Sequence, residues 1–86
     1  MNNDPKFVDA SFLIALFLLK DDFHFRAKEL WFELKEENLI ISKSTVGEVI
    51  TVLKNRGLPL NDVNGAYYII TKDINIIEDC HYHSDD

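Results

Sequence analysis

The sequence predicts an α/β domain built on a short parallel sheet, and three observations lead there. Three short apolar runs, Lys6-Phe7-Val8, Leu39-Ile40-Ile41 and Ile74 to Ile77, punctuate the chain. The stretches between them carry helical spacing and are each long enough for two helices. Strands that alternate with helices indicate parallel pairing through crossovers, here in the order β-α-α-β-α-α-β. The third observation is size: 86 residues, 47% of them hydrophobic, suit one domain with a modest core.

Asp4 and Pro5 punctuate the start, and the first apolar run leads directly into Asp9. The Ser11 hydroxyl suits a helix N-cap, accepting from a free backbone N–H two or three residues on. From Phe12 to Leu19 almost no polar face remains, the mark of a buried helix. Asp22 is read as the cap of the next helix. There Phe23, Ala27, Leu30, Trp31 and Leu34 share one face, and the charges of Arg26, Lys28, Glu29, Glu33, Lys35 and Glu36 form a solvated one. Asn38 is expected to stop that helix by adopting a left-handed conformation.

Thr45-Val46-Gly47-Glu48 matches a capping box, with threonine at the N-cap and glutamate three residues on. Val46, Val49, Ile50 and Leu53 then repeat at helical spacing, and Gly57 with Pro59 closes the segment. Propensity argues back, because valine, isoleucine and threonine favour strands and Gly47 costs about 1 kcal/mol against alanine in a helix. No clean alternation runs through the segment, so helix is the reading. Asn61 caps a fourth helix with Val63, Ala66, Tyr67 and Ile70 on one face, and Asp73 breaks it. Residues 1–79 form the single domain on this reading, and 80–86 a polar tail.

Composition limits the function. Nine Lys and Arg against fifteen Asp and Glu leave a net charge of −6, which opposes broad electrostatic wrapping of a nucleic acid. A local contact through a cation held by carboxylates remains open. The single cysteine, Cys80, excludes an intramolecular disulfide framework. The Phe12–Leu19 run is far shorter than the roughly 20 residues that span a bilayer, and no basic region precedes it. A cytoplasmic protein without a membrane partner is the expectation.

Open α/β sheets place their sites just beyond the C-terminal ends of their strands. Asp9 follows the first strand, and Glu48 lies early in the helix after the second. Both carboxylates are thereby delivered to one sheet edge. Two carboxylates suit a hard divalent cation such as Mg²⁺, which takes oxygen ligands and keeps several waters. The plainer alternatives are that Asp9 caps a turn and that Glu48 closes the capping box. Ser11 and Thr45 carry the same ambiguity between cap and site-lining hydroxyl. Cys80, His81 and His83 alternate around Tyr82 without the four spaced ligands of a zinc site. Trp31 and Tyr67-Tyr68 could stack on bases, although helical spacing favours core packing for Trp31 and Tyr67.

At these residues the chain resembles a known family. Phe7-Val8-Asp9-Ala10-Ser11-Phe12-Leu13-Ile14-Ala15-Leu16, then Asp22-Phe23-His24-Phe25-Arg26-Ala27, look like the opening of a PIN domain. Ile41-Ser42-Lys43-Ser44-Thr45-Val46-Gly47-Glu48-Val49-Ile50-Thr51-Val52-Leu53 is similar to that family's second strand and acidic helix. The likeness is closest to VapC-type toxins and runs from about residue 6 to residue 79. It implies a three-layer α/β/α sandwich and Mg²⁺- or Mn²⁺-dependent cleavage of RNA. Asp9 and Glu48 would be metal ligands and catalytic residues, with Ser11 as a polar helper. It also implies a toxin with an antitoxin protein as partner. The family's second half supplies a further helix and strand with more acidic ligands, so the chain reads as a truncated PIN-like domain. Two carboxylates alone would hold the ion weakly, and Glu78, Asp79, Asp85 and Asp86 are the substitutes at hand. An uncovered sheet would favour a homo-oligomer or pairing with another chain. The alternative function is therefore a non-catalytic interaction module or partner subunit.

Overall fold

The computed structural model describes residues 4–78, which run β1 (Lys6–Phe7), α1 (Ala10–Phe17), α2 (His24–Leu34), β2 (Leu39–Ser42), α3 (Lys43–Asn55), α4 (Leu60–Asp73) and β3 (Asn75–Ile77). The three strands form one parallel sheet in the order β1-β2-β3. Lys6 lies opposite Leu39 and Phe7 opposite Ile40, while Ile40, Ile41 and Ser42 face Asn75, Ile76 and Ile77. The α/β class and the order of elements are those expected from the sequence. The tail motif of Cys80, His81, Tyr82 and His83, and the acidic residues Asp79, Asp85 and Asp86, lie outside the described residues.

Strand alternation sorts the sheet's side chains onto two faces. Leu39, Ile41 and Ile74 fall on one, 1–3% exposed. Phe7, Ile40 and Ile77 fall on the other, where Phe7 is 73% and Ile77 40% exposed. The strand order explains the asymmetry. Both crossovers step the same way across the sheet, and right-handed connections then lay all their helices on the same face. The described residues thus form the sheet and one helical layer of the implied architecture. In that layer α1 packs on α2 and α3, and α3 packs on α4 and β2. Leu13, Ile41, Val49, Leu53 and Ile70 are the fully buried centre.

Several helix starts differ from the sequence reading. The N-cap of α1 is Asp9 rather than Ser11, which sits inside the first turn. Before α2 the tight turn is made at Asp21 instead of Asp22: Phe23 N–H donates to Asp21 Oδ1 at 2.8 Å. The inner face of α2 is also rotated. Phe23 is 69% exposed, whereas His24 is buried and packs beside Ala27. Its Nδ1–H donates to the Ala15 carbonyl at 2.9 Å, satisfying one ring nitrogen between α1 and α2, while the buried Nε2 has no hydrogen-bond partner among the described residues. Asn38 does not adopt the left-handed conformation, since Gly57 alone among the described residues has positive φ. Asn38 instead accepts the Lys6 N–H through its carbonyl at 2.9 Å, serving the sheet. Pro59, not Asn61, precedes α4, and Tyr67 is half-exposed instead of buried.

The correction at α3 matters most. Its N-cap is Ser42, whose hydroxyl accepts from Thr45 N–H at 3.2 Å. Serine at the last strand position can serve strand and cap together because its backbone is still extended there. Thr45 is therefore the third helical residue, and the predicted capping box of Thr45 with Glu48 does not form. Replacing Ser42 by alanine is expected to cost about 1 kcal/mol. Urea unfolding would show it as a lower midpoint at constant slope.

Candidate functional site

Asp9 reaches the sheet's C-terminal edge because β1 ends two residues before it and α1 begins one residue after it. As N-cap it has extended backbone dihedrals, yet its side chain makes no capping hydrogen bond to the helix. The carboxylate is exposed, and Ser11 Oγ–H donates to its Oδ2. Of the two predicted roles, capping does not use this carboxylate. Ser11 and Asp9 are thus brought into direct contact, on the solvent side of the edge.

Glu48 arrives by the other crossover. It is the sixth residue of α3, one turn deeper than the sequence suggested, and its side chain is exposed. At about 100° per residue, Thr45, Glu48 and Val52 line one shoulder of α3. The opposite shoulder, with Gly47, Ile50 and Thr51, looks toward Tyr67 of α4 and Ile76 of β3. Since α3 packs on α1 as well as on α4, the Glu48 shoulder is the one on the α1 side. No hydrogen bond joins Glu48 to Asp9 or Ser11. Freed from a capping box, Glu48 keeps both oxygens available.

Hydroxyls crowd the α3 end of the same edge. Ser42 Oγ lies 2.7 Å from Thr45 Oγ1 and 3.4 Å from Ser44 Oγ. Beyond them Lys43 pairs with Glu78 at 3.7 Å, both side chains being largely exposed. Such a pair contributes little to stability. Glu78, one of the substitutes proposed for a third ligand, is therefore engaged with a cation. Sequence reasoning did not find Lys43, and its place two residues after Ile41 was the available signal.

The donor set fits a hard cation in kind: two carboxylates and a hydroxyl, all oxygen, none committed to the backbone. Among the described residues no group of three or more His, Cys, Asp or Glu gathers closely enough to hold a metal. Asp9 and Glu48 are the carboxylates that would hold such an ion, and with only two of them most of its ligands would have to come from outside the chain. No described helix is long and apolar enough to cross a membrane.

Comparison with known proteins places the fold in a family. A search of curated proteins finds no match. Among solved structures, the chain is similar to the VapC20 toxin of Mycobacterium tuberculosis, described as cleaving the sarcin-ricin loop. The two share 29% identity at a TM-score of 0.72, over 87% of this chain and 56% of that one. The chain thus spans little more than half the length of that toxin. The PIN domain family model matches residues 6–84, which takes in β1, the Asp9 turn and all of α3. With that match over nearly the whole sequence, and a three-stranded parallel sheet beneath it, the chain belongs to the PIN domain family.

Proposed function

We propose that this chain is a divalent-metal-dependent ribonuclease of the toxin kind, working in the cytoplasm. Asp9 and Glu48 would hold Mg²⁺ or Mn²⁺, and Ser11 would steer the Asp9 carboxylate. The observation that carries the reading is the Asp9 carboxylate itself. It stands at a strand end and a helix start, is unused as a cap, and is oriented by the Ser11 hydroxyl. A bound divalent ion would supply charge neutralisation at a scissile phosphodiester and a more acidic water. The protein's own share is to fix one carboxylate oxygen through Ser11 and to present Glu48 from a rigid helix. The net charge of −6 makes this a local engagement of RNA, confined to the metal edge.

The partner proposed on the same likeness is an antitoxin protein, and the uncovered sheet face adds a second copy of the chain. The test is cleavage of a labelled single-stranded RNA with Mn²⁺, with Mn²⁺ plus excess chelator, and with the Glu48→Gln variant. Cleavage that stops with chelator and falls at least about tenfold in the variant supports the reading. Cleavage insensitive to both would refute it.

One observation favours a second reading, a non-catalytic interaction module. Parallel sheets occur almost only with both faces covered, and among the described residues no helix packs on the face that Phe7, Ile40 and Ile77 share. On that reading the same RNA stays intact under all three conditions.

A further inference from the structure

A groove of about 410 Å³ runs along the shoulder of α3 opposite Glu48, toward α4 and β3. Lys43 stands at its mouth, Ile50 and Ile76 form an apolar floor, and the half-exposed Tyr67 makes one wall. Gly47 lies along it, and a Cβ there would meet nothing within 4 Å. Neither packing nor a left-handed backbone requires this glycine, since its φ is not positive. A glycine in a helix interior is nonetheless unfavourable against alanine. An alanine Cβ would therefore leave the groove open, and only a longer side chain at this position would reach across it.

We propose that this groove seats an unpaired nucleobase of a single-stranded RNA, flanking the phosphate engaged at Asp9 and Glu48. The inference rests on the ribonuclease reading and adds a base-binding groove and the residues that would grip the base. Base-stacking sites combine an aromatic face, an apolar floor and a nearby cation, because every base offers a π-face and a phosphate. Tyr67, the Ile50–Ile76 floor and Lys43 supply these three. The Lys43–Glu78 pair does not block the role: both side chains are at least 70% exposed, so phosphate can displace Glu78 from the ammonium. The groove and the carboxylates lie on the two shoulders of one helix end, so a single extended strand can cross from one to the other. A duplex cannot present a base into the groove without unpairing it.

The experiment uses the unmutated full chain with Mn²⁺ and reads the anisotropy of a fluorescein-labelled, cleavage-resistant phosphorothioate oligoribonucleotide of mixed sequence, with cleavage followed on the unmodified RNA. Tyr67→Ala is expected to weaken binding about tenfold, the effect of losing one stacked base, and Tyr67→Phe to restore it. Lys43→Gln should lower the slope of log affinity against log salt by about 0.7. Gly47→Leu should fill the groove and weaken binding while raising the melting temperature, whereas Gly47→Ala should raise the melting temperature and keep binding. Tight binding that none of the Tyr67 and Gly47 variants changes would overturn the groove and leave the ribonuclease reading intact. Failure of the parent chain to bind or cleave the RNA would overturn both.

Discussion

Replacing Asp9 by asparagine is expected to remove Mn²⁺ binding in calorimetry and to lower RNA cleavage by roughly 100- to 1,000-fold, the scale for losing one group aimed at developing charge. The fold should be untouched. Asparagine is as good an N-cap as aspartate, it keeps an acceptor for the Ser11 hydroxyl, and the Asp9 side chain is exposed. Circular dichroism and the melting temperature therefore serve as the control. Metal binding that persists in the variant with cleavage intact would place the chemistry elsewhere. Loss of both with an unchanged melt is what the ribonuclease reading requires.

The largest effect on stability is expected at Leu53. Its side chain is fully buried where α3 meets the rest of the core. Truncation to alanine should cost roughly 3–5 kcal/mol, since it loses both transfer energy and close packing. Small domains hold only about 5–15 kcal/mol in total, so the variant should be substantially unfolded near physiological temperature. Leu19→Ala is the matched control. Leu19 is 78% exposed, and its truncation should leave the urea midpoint nearly unchanged. A loss under about 1 kcal/mol at Leu53 would contradict its place in the core.

Much of the fold was legible because periodicity reports burial. Val46, Val49 and Leu53 repeat at helical spacing, and all three are buried on α3. The three apolar runs became the three strands, within one residue at most ends. Caps were harder to read. Ser42 and Thr45 are both hydroxyl residues three positions from a suitable partner, and only the end of β2 decides between them. The α2 face was misread because hydropathy alone places Phe23 inside. His24 takes that place through a hydrogen bond to a carbonyl nine residues earlier, which no local pattern encodes.

The candidate site was legible in part. Asp9 and Glu48 were singled out by topology and by family likeness; Asp9 does follow β1 at the strand's C-terminal end, while Glu48 lies one turn further into α3 than the capping-box reading put it. The engagement of Asp9 by Ser11 was hidden behind the cap reading of Ser11. Gly47 was read only as a cost to helix formation, because a groove is a property of α3, α4 and β3 together. Tyr67 was assigned to the core by spacing, yet half its surface is open.

The open face that Phe7, Ile40 and Ile77 share bears on colloidal behaviour as well as on architecture. Copies of a chain with net charge −6 repel one another, and in dilute buffer that repulsion holds the apolar faces apart. Added salt shortens the reach of the repulsion to about 10 Å at 0.1 M, while leaving the attraction between apolar faces in place. The same ions relieve repulsion within each molecule. Ionic strength thus favours the folded chain and disfavours its dispersion, and purification has to balance one against the other.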